Sequence, residues 1–267
     1  MSYLANARMY SVTPASKAAW VELFQWVLHA SGVNARLVEH DPPKLLADLW
    51  ERDDLAGVMM CGLPFSRSSV QPQILAQPIP SIARYHGRAV YCTDIVVAKE
   101  SRFAHLAETF GCRAGYTLKD SQSGYYAFRH HLLSQFPSQP EPYTSIMGGL
   151  MNARGVIKAI VEGKIDVGPL DGYVHDLIRY SEPSYADQVR VIASTDPTPM
   201  PCIVASPSVS AKDVNSLRQA FRASITENSL AAARQTLLLA DFTLPEPSSY
   251  QVQFERALRV DAAQDWP

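Results

Sequence analysis

The segment Ala56–Cys61, AGVMMC, has no polar side chain on either face and reads as a short strand apolar on both sides. Such a strand must be covered above and below, and helices do this when strands and helices alternate along the chain. The neighbouring sequence alternates in that way. Ala7–Val12 reads as a first strand, and Thr13-Pro14 as an N-cap with proline at the first helical position, where the missing N–H is not needed. Trp20, Leu23, Phe24, Val27 and Leu28 follow at helical spacing, and Gly32 ends the helix. Ala35–Glu39 reads as a second strand and Pro43–Trp50 as a short helix.

Residues 62–86 hold Pro64, Pro72, Pro78 and Pro80 and read as loop, followed by a β-like run from Ala89 to Ala98. Alternation then resumes. Helices are expected at 102–110, 124–133, 149–162 and 171–180, with strands at 113–117 and 165–170 and an extended stretch at 143–147. The chain returns through Val189–Ser194, crosses Pro197, Pro199 and Pro201, and enters a strand at Cys202–Ser206. Ser210-x-x-Asp213 opens a helix striped by Val214, Leu217, Phe221 and Ile225, and 230–240 reads as another helix. Two α/β blocks joined by extended crossings near 91–98 and 195–206 predict a two-lobed α/β fold with a double hinge. Residues 1–92 and 202–267 would form the first lobe and 93–201 an inserted second lobe.

Composition removes several function classes. The 24 basic and 26 acidic residues leave a net charge of −2, so no basic field is present to neutralise nucleic-acid phosphates. Four cysteines show no zinc spacing, and no Gly-rich nucleotide loop, nucleophile elbow or His-Glu-x-x-His motif occurs, so no cofactor or metal is expected. No apolar run is long enough for a membrane span, and the opening MSYLANARMYSV lacks the pattern of a secretory signal. The expected compartment is the cytoplasm, or the periplasm if a leader has been removed.

The most informative segment is Lys119–Tyr125, KDSQSGY, between an expected strand and an expected helix. Ser121 and Ser123 supply hydroxyls and Gly124 close backbone approach where the helix dipole and unpaired N–H groups favour an oxyanion. The same residues would equally serve as an ordinary helix cap. Asp171, at the C-terminal end of an apolar strand, would face a ligand crevice or cap its own helix. Tyr10 and Gly62 stand at expected strand ends and Tyr91 at the start of the first crossing; all three are weaker candidates.

The series Tyr91-Cys-Thr-Asp-Ile-Val-Val, Asp120-Ser-Gln-Ser-Gly, Ala159-Ile-Val-Glu-Gly-Lys-Ile-Asp166 with Asp171, and Thr195-Asp-Pro-Thr-Pro-Met-Pro resembles the phosphonate-binding subgroup of ABC-transporter solute-binding proteins over roughly residues 5–240. The resemblance implies a type 2 periplasmic-binding fold that closes on a small anion, phosphonate or phosphate, and an ABC permease as partner. By it, Ser121, Gln122, Ser123, Gly124 and Tyr125 would form the anion cradle. Tyr10 and Gly62 would contribute from the first lobe, Tyr91 from the hinge strand and Asp171 from the strand end opposite. A cytoplasmic enzyme on the same scaffold, using Cys61, Asp171 or His175, and a ligand sensor that reports to a partner protein are the competing readings.

Overall fold

The computed structural model describes residues 2–41, 44–263 and 266. The chain divides into two compact units, one comprising Met1–Val90 with Pro199–Tyr250, the other Tyr91–Thr198 with Gln251–Pro267.

In the first unit the described strands pair in the order Leu239–Thr243, Gln73–Pro80, Cys202–Ala205, Leu55–Met60, Tyr3–Asn6 and Ala35–Leu37. The last three run parallel, and Cys202–Ala205 is antiparallel to both its neighbours. Leu55–Met60 is buried at every position, as its composition requires. The long helix Pro14–Ser31 has the expected limits. Thr13 Oγ1 accepts from Ser16 N at 3.0 Å while Thr13 N donates to Ser16 Oγ at 2.9 Å, and Gly32 closes the other end at φ +65°. The stripe Trp20, Leu23, Phe24, Val27 and Leu28 is buried, with Phe24 edge-on to Phe221 at 5.6 Å. Because Thr13 and Ser16 are buried, Thr13→Ala leaves the Ser16 N–H without an acceptor where water cannot reach it. Chemical denaturation should report a loss of about 1–2 kcal/mol.

Several expectations are corrected. The first strand is Tyr3–Asn6, and Ala7–Val12 is turn and loop: Ser11 N bonds Arg8 O, and Ser11 Oγ bonds Ala7 O. Tyr10 therefore lies in a turn beyond the strand, buried at 2% exposure. Of the helix expected at 43–50, Pro43 lies outside the described residues and the helix seen is Ala47–Trp50. Residues 62–86 contain the helix Gly62–Arg67 and the strand Gln73–Pro80. Pro78 and Pro80 fit that strand because they fall in the half that pairs only with Leu239–Thr243, beyond the reach of Cys202–Ala205. The helix expected at 230–240 stops at Thr236, and the edge strand Leu239–Thr243 follows. The sheet combines parallel and antiparallel strands.

In the second unit the described order is Val189–Ser194, Thr93–Ala98, Val167–Asp171, Arg113–Gly115 and Ser145–Met147. Arg113–Gly115 is parallel to both neighbours, whereas Thr93–Ala98 is antiparallel to both of its own. The helix expected at 102–110 is only the short 3-10 turn Leu106–Thr109. The one expected at 149–162 begins at Ala153, because Gly149 and Met151 adopt left-handed φ of +74° and +65° and Asn152 caps. The helix Gln251–Asp261 packs on Ala127–Gln135 of this unit, with Tyr126 Oη donating to Asp261 Oδ1 at 3.0 Å. It thus falls with the second unit, where the expected division places 202–267 whole with the first lobe. Polar periodicity in this tail identifies a helix but carries no signal for which unit receives its buried face.

Candidate functional site

One edge of the second unit's sheet gathers most of the expected residues. Arg113–Gly115 and Val167–Asp171 are parallel, so the segments that leave their C-terminal ends emerge at the same edge. Thr93–Ala98 is antiparallel, and its first residue, Thr93, stands opposite Asp171 at that edge. Thr93 Oγ1 donates to Ser123 O at 3.1 Å, which draws the start of the next helix to the strand ends.

That helix starts with a π-turn, Gln122–Tyr126, before the α-helix Ala127–Gln135. Ser121 is the N-cap: its Oγ accepts from Gly124 N at 3.0 Å, and its carbonyl accepts from both Tyr125 N and Tyr126 N at 3.1 Å. The cap role of Ser121 is thus realised. Among the described residues no acceptor meets the backbone N–H groups of Gln122 and Ser123. The Gln122 side chain is 1% exposed, and neither its Oε1 nor its Nε2 has a partner. A buried amide without partners is costly unless something else completes it. Gly124 is obligatory, since a Cβ there would meet Thr117 Oγ1 at 1.8 Å.

Asp171 caps the helix Gly172–Ser181, its Oδ1 accepting from Val174 N at 3.0 Å. It also accepts hydrogen bonds from the Ser123 hydroxyl and Tyr173 N–H. Loss of hydration still dominates and pushes the carboxyl up to about 7, against those three bonds and assisted by the nearby charge of Asp176. Near neutral pH it is divided between carboxylate and carboxylic acid. Ser123, Gly124 and Asp171 are thereby brought together. Tyr125 is buried in the same turn, and Tyr91, 1% exposed, lies two residues before Thr93. Tyr10 and Gly62 belong to the first unit, where Gly62 is the buried first residue of Gly62–Arg67.

His175 is not part of this group. Its Nδ1 lies 2.9 Å from Asp94 Oδ2 with both side chains fully buried, and Ser194 Oγ donates to Asp94 Oδ1 at 2.8 Å. Thr93 and Asp94 are successive strand residues and face opposite sides of the sheet. His175 therefore packs on the face away from Ser123. Thr93 and Thr117 are the residues that sequence reasoning misses. Thr93 acts through Ser123, thirty residues on, and Thr117 through the turn it folds back onto at Gly124; the available signal is the Thr93 hydroxyl inside the motif beginning at Tyr91.

A two-unit α/β chain with an anion-favouring helix start and a carboxyl at adjoining strand ends has the make-up of a solute-binding protein. A family model described as "ABC transporter, phosphonate, periplasmic substrate-binding protein" matches residues 12–250. The chain belongs to this family of phosphonate ABC-transporter substrate-binding proteins. No curated protein matches it in sequence. The fold is similar to that of a binding-protein component of an ABC phosphonate transporter from Pseudomonas aeruginosa, with TM-score 0.81, 14% identity, and 98% of this chain and 87% of that one covered. It is also similar to PhnD1 from Prochlorococcus marinus in complex with methylphosphonate, with TM-score 0.79, 14% identity, and 97% and 98% covered. A Xanthomonas citri protein solved bound to ATP gives TM-score 0.68 at 15% identity, with 99% of each chain covered. Among the described residues no helix is long and apolar enough to cross a membrane, and no group of three or more metal-ligating side chains occurs.

Proposed function

We propose that the chain serves an ABC uptake system by taking up a small phosphonate, or a phosphate of similar size, on the helix start Ser121–Gly124. The observation that carries this reading is the meeting, at one sheet edge, of two unpaired backbone N–H groups, a buried amide with no partner and the partly protonated carboxyl of Asp171. The N–H groups and the Gln122 amide suit anionic oxygens. Asp171 suits the proton that a phosphonate monoanion keeps. A fully ionised ligand facing a fully ionised Asp171 would be repelled, so the complex holds one proton between them. Ligand-binding roles for Tyr10, Gly62 and Tyr91 remain part of this proposal, as does release of the ligand unchanged to a permease.

Titration calorimetry with methylphosphonate and with inorganic phosphate tests the reading, followed by mass analysis of the recovered ligand. Saturable binding of either with no chemical change supports it; absence of binding to both, or turnover, overturns it. Ser123→Ala removes a hydroxyl that holds Asp171 and lies beside the ligand oxygens. Losing one charge-assisted hydrogen bond of about 1.5–3 kcal/mol should weaken binding about 10–150-fold.

A further inference from the structure

Trp266, beyond the helix Gln251–Asp261, is only 5% exposed and sits in a socket of aromatic rings. Its ring centroid lies 5.7 Å from Tyr125, 5.6 Å from Phe128, and 6.2 Å from both Tyr116 and Tyr143. The Arg129 guanidinium, on a side chain 1% exposed, stacks 4.8 Å from the Trp266 ring. Edge-to-face geometry prevails, the rings of Trp266 and Tyr125 crossing at 84°, the arrangement in which aromatic pairs attract most.

The socket adjoins the cradle through two residues. Tyr125 lies within the π-turn, and Tyr116, 4.9 Å from Tyr125 by ring centroid, immediately precedes Thr117, whose N–H bonds Gly124 O. The other large residue of the turn, Tyr126, is held by Asp261. Both tyrosines of the π-turn are therefore held in part by residues beyond the turn's own helix, Tyr125 by Trp266 and Tyr126 by Asp261. A π-turn is a rare and intrinsically poor conformation, held in place by what packs against it.

We infer that Trp266 is a positioning residue for ligand binding: with Asp261 it clamps Tyr125 and Tyr126, keeping the π-turn in the register that aims the unpaired Gln122 and Ser123 N–H groups. Without the clamp the turn relaxes to an α-helical start in which those amides are differently aimed. The inference rests on the cradle reading above for its effect on affinity, but not for its effect on the turn.

The test compares Trp266→Ala with the unaltered chain by hydrogen exchange of residues 118–128 without ligand, and by calorimetry with methylphosphonate. Faster exchange across 121–127 with affinity lower by about tenfold or more is expected, and Trp266→Phe should retain both properties. Should the alanine variant fail to fold, Trp266→Leu keeps most of the volume without the ring geometry and serves in its place. Phe110→Ala is the control. It disturbs the Phe110, Phe136 and Tyr143 cluster, whose ring contacts run to Trp266 and Phe128 and not to Tyr125 or Tyr126, and should leave affinity near its original value. Unchanged exchange in 121–127, or an equal affinity loss in Phe110→Ala, overturns the clamp. If the unaltered chain binds neither methylphosphonate nor phosphate, the ligand assignment fails, and the exchange comparison alone decides the role of Trp266.

Discussion

Gly124→Ala should lower affinity for methylphosphonate by about 100-fold or more, the scale of losing one or two charge-assisted hydrogen bonds of about 1.5–3 kcal/mol, and should destabilise the chain as well. Two effects compete. Alanine favours helix over glycine by about 0.8–1 kcal/mol. Against this, the new methyl carbon would stand 1.8 Å from Thr117 Oγ1 and 2.9 Å from Thr117 Cβ and from Ser121 Oγ. None of these atoms ends a long flexible side chain. Thr117 is β-branched and 8% exposed, and Ser121 Oγ is the cap acceptor for Gly124 N. Overpacking of this kind costs about 1–3 kcal/mol, and loss of the cap bond adds about 1 kcal/mol, so the clash wins. The backbone must part where Thr117 N bonds Gly124 O, which moves the N–H groups of the turn away from the ligand. Thr117→Gly in the same chain removes both Thr117 atoms and should recover most of the lost stability in a denaturant titration. An alanine variant with unaltered affinity would show that the turn is not where the ligand binds.

The sequence resolves some elements and not others, for identifiable physical reasons. The helix Pro14–Ser31 is readable because its cap, its stripe and its terminating glycine are all local. Leu55–Met60 is readable because a strand covered on both faces can hold nothing polar. The strand Gln73–Pro80 is not, because its prolines are tolerated only through an arrangement of neighbours more than a hundred residues away. The same division runs through the candidate site. Ser121, Ser123, Gly124 and Asp171 stand at element boundaries whose residue types announce capping and oxyanion binding alike. What separates those readings is three-dimensional: Thr93 drawing in Ser123 from thirty residues away, the chain folding back so that Thr117 forbids a side chain at 124, and the unpartnered Gln122 amide. The destination of the helix Gln251–Asp261 is illegible for a related reason: amphipathic spacing gives the buried face of a helix and not the unit that covers it.

Asp171→Asn should remove the pH dependence that this carboxyl gives to both stability and binding. The carboxyl titrates near 3.8 in an unfolded chain and at about 7 when folded. The folded state holds the proton more tightly, so stability from this group is fully present below about pH 4 and is lost as pH rises through 7. A rise from 3.8 to about 7 corresponds to a ceiling of about 4 kcal/mol. Asp171 is half-buried, and solvent screening brings the expectation nearer to about 2 kcal/mol. Asparagine keeps an oxygen to accept from Val174 N and cannot ionise. In the ligand-free state the variant should match the original chain near pH 4 and exceed its melting temperature by several degrees at pH 8, at about 2–4 °C per kcal/mol. Binding follows from the same proton. At pH 8 the original chain must take up about one proton when it binds methylphosphonate, because ligand and carboxyl are then both largely ionised. Its affinity therefore falls toward about tenfold per pH unit above 7. Calorimetry in buffers of different ionisation enthalpy should find that uptake in the original chain and much less in Asp171→Asn, whose carboxamide N–H meets the dianion directly. On this reading the chain would hold its anion most firmly near neutrality, and the ligand-free state would lose this group's contribution to stability as the carboxyl ionises. Equal proton uptake in both proteins would remove Asp171 from the ligand and leave it only as the cap of Gly172–Ser181.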